Sequence, residues 1–146
     1  MDDRDRRVRN VTYRLIPELG RPPRAAEAAR AAGLAPRELR DAWRRLHEAH
    51  ALVLGDDREI RMAHPFSAVP TVHRVEAAGR SWYANCPWDS FGICAALGAD
   101  GHVVSSCPDC GAQIELDVRD GRPDADETVV HLLVPAERWW DDIAFT

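Results

Sequence analysis

Pro36-Arg37-Glu38-Leu39-Arg40-Asp41-Ala42-Trp43-Arg44-Arg45-Leu46-His47 reads as an amphipathic helix that opens on proline, with Leu39, Trp43 and Leu46 recurring on one face. Two short strand-like runs follow, Ala51-Leu52-Val53-Leu54 and Glu59-Ile60-Arg61-Met62, separated by Gly55-Asp56-Asp57. Turn residues of this kind between β-prone runs predict a hairpin. A helix followed by a hairpin is the second half of a winged-helix unit, and the upstream residues supply the first half. Arg6 to Leu19 carries Val8, Val11, Leu15 and Ile16 at helical spacing and stops at Gly20, before Pro22-Pro23. Ala25 to Ala32 makes a short second helix that closes at Gly33.

Downstream the pattern is mixed. Arg74 to Tyr83 is extended in character and leads into a helix from Pro87 to Leu97 that stops at Gly98. His102–Ser106 and Ala112–Val118 read as two strands joined through Cys107-Pro108-Asp109-Cys110-Gly111. Val129–Val134 reads as a third strand, and Pro135 opens a terminal helix containing Trp139 and Trp140. The fold class is therefore α+β: a winged-helix-like three-helix unit with a β-hairpin in residues 1–80, then a small mixed sheet and helix unit in residues 81–146.

Charge divides at the same place. Residues 1–80 hold 16 arginines against 12 carboxylates and residues 81–146 hold 3 against 12, giving the net −5 of the whole chain. A basic first half and an acidic second half attract each other, and the boundary is set near Ala77-Ala78-Gly79-Arg80. All 19 basic residues are arginine, so Schiff-base chemistry and a phosphate-loop lysine are excluded. No run approaches the roughly 20 apolar residues of a membrane span, and Met1-Asp2-Asp3-Arg4-Asp5-Arg6-Arg7 lacks the apolar core of a secretion signal. The expectation is a cytoplasmic protein without a membrane partner. In the third helix, Glu38, Asp41 and Glu48 interleave with Arg37, Arg40, Arg44 and Arg45. That is the pattern of a solvated face laced by i,i+3 and i,i+4 ion pairs, so specific DNA binding is not expected.

Chemistry concentrates in Ser81-Trp82-Tyr83-Ala84-Asn85-Cys86-Pro87-Trp88-Asp89-Ser90-Phe91-Gly92. With Pro87 at the first helical position, Cys86 is the N-cap and Asp89 the third helical residue, so thiol and carboxyl share one turn. The helix N-terminus favours a thiolate, whereas a carboxylate beside it opposes a second negative charge. Two readings stay open: a soft-metal site with a proton held beside it, or a helix cap next to a small buried thiol. Cys86 is also the thiol expected to be the most reactive. The Cys107-x-x-Cys110-Gly111 turn is the strongest generic metal signal and suits half of a zinc site, a thiol relay or an unmetallated turn. Cys94 is expected to pack as a small apolar group, and His47, His50, His64 and His73 are dispersed.

Tyr83-Ala84-Asn85-Cys86-Pro87-Trp88-Asp89, with Phe91-Gly92-Ile93, Ala95-Ala96-Leu97-Gly98, His102–Cys107 and Val134-Pro135-Ala136, resembles the alkylmercury (organomercurial) lyase family. The resemblance implies protonolytic cleavage of carbon–mercury bonds, with Cys86 matching the first of two mercury-binding cysteines and Asp89 the proton donor. It implies an organometal or thiol-reactive small molecule as substrate, mercury as the metal, exogenous thiols to remove the product ion, and no organic cofactor. The family's second cysteine follows a segment corresponding to Trp139–Phe145, and residues 1–146 carry none there. Cys107, Cys110, a small thiol or a protein partner would then supply the second thiolate. Cys86, Cys107 and Cys110 are the candidate metal ligands, to mercury or to zinc. A non-cleaving or repurposed homologue, a subunit of a larger complex, and a metal-sensing winged-helix regulator remain as rivals.

Overall fold

The computed structural model describes residues 1–124 and 128–144. Helix α1, Asp3–Leu19, starts where the Asp2 carboxylate accepts the Asp5 N–H at 2.7 Å, and it ends at Gly20 with φ +74°. Helix α2, Ala25–Ala32, is held at its start by Glu27, which accepts the Arg24 N–H at 2.7 Å and pairs with Arg21 at 2.8 Å. Helix α3, Pro36–Glu48, buries Leu39, Ala42, Trp43 and Leu46, the face its spacing predicts. Trp43 closes the helical core by donating its Nε1–H to Thr12 Oγ1 at 3.0 Å, while the Thr12 hydroxyl donates to the Val8 carbonyl at 2.8 Å. Buried indole and hydroxyl thus satisfy each other, which removes the desolvation penalty either would carry alone.

The predicted hairpin is present as β1, Val53–Leu54, and β2, Ile60–Ala63, with β3, Phe66–Ser67, added antiparallel on the far side of β2. A second antiparallel sheet has the order β5-β4-β6-β7-β8, built from β4 Arg74–Ala77, β5 Arg80–Tyr83, β6 Gly101–Ser106, β7 Gln113–Arg119 and β8 Arg122–Pro123. The charge boundary falls in the β4–β5 turn, where Ala78 and Gly79 both have positive φ. Both strands of that hairpin lie in the second sheet. Helix α4, Pro87–Leu97, connects β5 to β6 and packs on β4 and β6. Its fit is close at Gly101, where an added Cβ would lie 2.6 Å from Cys94 Sγ. Cys94 is 2% exposed and acts as the apolar packing group expected of it. The two sheets meet through a Phe66–Ala84 bridge and an edge-to-face contact of Phe66 with Trp82 at 5.3 Å. One buried cluster runs from Val8 to Val118. The molecule is α+β.

Three expected elements differ. Arg74–Tyr83 is a hairpin rather than one extended segment. Val129–Val134 is not a strand: its apolar run does not alternate, Val129 and Leu133 are 81% and 78% exposed, and β8 holds the edge of β7 until Pro123. The terminal helix is a 3-10 helix, Ala136–Asp141. No helix among the described residues is long and apolar enough to cross a membrane.

Asp5 is 4% exposed and receives both Nε and Nη2 of Arg45, at 2.9 and 2.6 Å. Arg45 holds the Asp5 carboxyl below its ordinary value, and Arg21 with the Arg24 N–H brings Glu27 down from 4.5 to about 2. Both groups have folded-state values below their unfolded ones, so the stability they add is complete above the unfolded values and is lost as pH falls through the folded ones. Equilibrium urea unfolding should show stability falling from about pH 4.5 toward pH 2, and Asp5→Asn should flatten part of that fall.

Candidate active site

Cys86 stands at the joint where β5 gives way to α4. Its backbone is extended, with φ −147°, and Pro87 takes the first helical position, where a missing N–H costs no hydrogen bond. Burial pushes the half-buried thiol above its ordinary pKa, and the Asp89 carboxylate adds to that rise. The N–H groups of Asp89 and Trp88 turn toward Sγ and oppose the rise, though neither closes a cap hydrogen bond of ordinary geometry. The helix terminus therefore loses to burial and the neighbouring charge. Cys86 is a held thiol rather than a free thiolate.

Asp89 follows one turn on, with a side chain 15% exposed. Asn85 Nδ2–H donates to Asp89 Oδ2 at 2.8 Å and to the Pro65 carbonyl at 3.1 Å. His64 Nδ1 lies 3.5 Å from the same Asp89 Oδ2. Reversing the Asn85 amide would set its oxygen against two acceptors, so the amide nitrogen must face the carboxylate. That leaves Asn85 Oδ1 as the buried side-chain polar atom without a partner among the described residues.

Residues from distant parts of the chain act on the site through charge and ring contacts. Tyr13 of α1 donates its hydroxyl to the Ala51 carbonyl at 3.2 Å; burial raises its pKa, Arg9 opposes this, and the charge of Asp89 adds to it. His73 sits 2.7 Å from Ser105 Oγ through Nδ1, its pKa lowered by burial against the opposing pull of Asp89. Trp140 of the 3-10 helix stacks on His50, with centroids 3.9 Å apart and planes 4° from parallel, and meets His64 edge-on at 6.3 Å. Sequence reading passed over His64 as one of several dispersed histidines and gave Asn85 no role. His64 carries no spacing signal, because its partner Asp89 lies 25 residues away. Phe145 and Thr146, beside the place of the family's second cysteine, lie outside the described residues.

Cys107 and Cys110 sit in a tight turn after β6, closed by Cys107 N–H to the Ala112 carbonyl and Gly111 N–H to the Cys107 carbonyl, both 2.9 Å, with Gly111 at φ +72°. The N–H groups of Cys110 and Asp109 and the Cys110 thiol draw the Cys107 pKa below the ordinary thiol value. The pKa of Cys107 is thus lowered while that of Cys86 is raised. All four cysteines are free thiols. Among the described residues no three His, Cys, Asp or Glu side chains gather to hold one metal ion. Cys86, Cys107 and Cys110 are therefore not assembled as one ligand set, and the four ligands of a closed zinc site do not come together. On α3, Arg40 pairs with Glu59, Arg44 with Asp41 and Arg45 with Asp5. Those three arginines already face carboxylates of the chain itself. An open depression of about 430 Å³ lined by Glu76–Ser81 and Asp100 lies at the opposite end of the second sheet from Cys86 and contains no thiol.

A family model described as alkylmercury lyase matches residues 66–146, which take in β3, the second sheet, α4 and the 3-10 helix. An alkylmercury lyase of Staphylococcus epidermidis is 31% identical over 85 residues, covering 56% of this chain and 39% of that protein. The crystal structure of the mercury-bound form of MerB2 superposes with a TM-score of 0.69 at 22% identity, over 84% of this chain and 59% of that one. The latter likeness is one of fold. The chain thus spans less than two thirds of the length of either relative.

Proposed function

This chain belongs to the alkylmercury lyase family, and we propose that it cleaves the carbon–mercury bond of organomercurials, with Cys86 as the mercury-binding thiolate and Asp89 as the proton donor. The observation that carries this reading is the placement of a thiol and a carboxyl on one helical turn, with the carboxyl fixed from behind by Asn85. Mercury is a soft cation and exchanges a weak ligand for a thiolate. On binding, an S–Hg bond forms, the displaced ligand leaves as an anion, and the Cys86 S–H proton passes to the Asp89 carboxylate. The approaching cation also reverses the balance at Cys86, since it stabilises the thiolate that burial disfavours.

Proton transfer then completes the reaction. Asn85 N–H occupies Asp89 Oδ2, which leaves Oδ1 to carry the acid proton. That proton passes to the carbon, the C–Hg electron pair becomes the C–H bond, and Asp89 remains as a carboxylate beside the mercury(II) held by Cys86. Charge is conserved at each step and no organic cofactor takes part. A second thiolate, from a small thiol or a partner chain, raises electron density on the metal, and exogenous thiols remove the ion.

Phenylmercury with a millimolar monothiol tests the reading. Benzene release over many turnovers, followed by gas chromatography, is the expected result. A stable one-to-one adduct whose intact mass retains the phenyl group would replace it with the second reading, a homologue that binds and does not cleave. Strand register favours that alternative, because the strands leading to Cys86 and to the Cys107 turn lie two strand spacings apart, roughly 10 Å.

A further inference from the structure

We propose that Cys107 and Cys110 form a second, two-coordinate thiolate site, which receives a thiophilic dication such as mercury(II) from Cys86. The two thiols stand three residues apart on one tight turn, closed by the Cys107 N–H to the Ala112 carbonyl and the Gly111 N–H to the Cys107 carbonyl, both 2.9 Å. Cys107 is half-buried and Cys110 exposed, so the pair is open to solvent. Two sulfurs with no third ligand among the described residues suit a soft cation content with two thiolates and leave a four-coordinate zinc ion unsatisfied.

Sheet topology places this turn beside the site. Arg74 of β4 pairs with Tyr83 of β5 on one side and with Val104 of β6 on the other. Both neighbours are antiparallel to β4, so β5 and β6 run the same way and leave the sheet at the same end. Cys86 follows Tyr83 by the same interval as Cys107 follows Val104. Two strand spacings of about 4.8 Å set the exit points roughly 10 Å apart. The strands that lead to Cys86 and to the two-sulfur turn therefore end on the same side of the sheet. Transfer breaks the Cys86 S–Hg bond and the bond to its companion thiolate, and it makes bonds to Cys107 Sγ and Cys110 Sγ. The two thiol protons of the turn pass to the released thiolates, so no oxidant or reductant is required. The role as receiver rests on the lyase reading, whereas binding at the turn does not.

The test uses mercury(II) chloride, the full chain and a millimolar monothiol competitor. In a Cys86→Ser background, native mass spectrometry should show one mercury retained per chain, with a mass gain of one mercury less two protons. Adding Cys107→Ser or Cys110→Ser should weaken binding by about 10²–10⁴-fold, the loss expected when two tethered ligands become one. Circular dichroism checks that each variant is folded, and the exposed turn should tolerate serine. In the parent chain one equivalent of mercury(II) should protect Cys107 and Cys110 from alkylation ahead of Cys86. Loss of all mercury from Cys86→Ser, a weakening under about threefold in the turn variants, or protection of Cys86 first would each overturn the proposal. Inorganic mercury bypasses cleavage, so a filled turn with no benzene from phenylmercury would sink the lyase reading alone.

Discussion

Cys86→Ser is expected to release no benzene from phenylmercury above the buffer rate while remaining folded. Serine is a preferred N-cap, and its hydroxyl can accept the helix N–H groups that turn toward Sγ in the parent. Thermal unfolding of the variant should therefore match or exceed that of the parent, which separates loss of chemistry from loss of structure. The hydroxyl is a poor ligand for a soft cation and stays protonated at neutral pH, so the S–Hg bond that precedes protonolysis has no substitute. Cys94 cannot take its place, because it is 2% exposed and packed against the start of β6. Inorganic mercury gives a second readout: the parent should retain two ions per chain and the variant one. A Cys86→Ser protein that still releases benzene at more than about a tenth of the parent rate would move the nucleophile elsewhere, with Cys107 as the next candidate.

What could be read beforehand is uneven for physical reasons. Helices announced themselves through local chemistry: Pro36 and Pro87 at first positions, and Gly20, Gly33 and Gly98 in left-handed caps. Cys86 and Asp89 were legible because one helical turn fixes their relation. The direction of the Cys86 pKa was not, since a helix terminus and a carboxylate pull oppositely and only burial decides between them. Cys107 is the converse case, a thiol lowered by N–H groups of its own turn that no spacing rule reveals. His64 and Trp140 come to the site from two distant segments, and each is an ordinary residue in its local sequence. Val129–Val134 failed as a strand because composition suggested one while alternation and an edge to pair with were lacking.

Asp89→Asn should part the two steps that the parent joins. An asparagine at this position can turn its carbonyl oxygen to the Asn85 Nδ2–H that Oδ2 accepts at 2.8 Å, so the local hydrogen bond and the start of α4 survive. Removing the carboxylate takes away a charge that raises the Cys86 pKa, so the thiolate fraction rises and mercury binding should hold or improve. Protonolysis should move the other way. An amide has no proton acidic enough to give to carbon, and loss of a positioned general acid costs about 10²–10⁴-fold in rate, or about 3–5 kcal/mol. Single-turnover benzene release from the preformed phenylmercury adduct should fall by that factor, while the dissociation constant for inorganic mercury, measured in a Cys107→Ser background, stays within about threefold of its value with Asp89 intact. Opposite movement of binding and chemistry is the signature of a proton donor, since a mere helix cap would change stability and leave both readouts together. Release from the adduct at the parent rate between pH 5 and 8 would leave Asp89 as a cap and assign the proton to solvent or to His64, whose Nδ1 lies 3.5 Å from the same carboxylate oxygen.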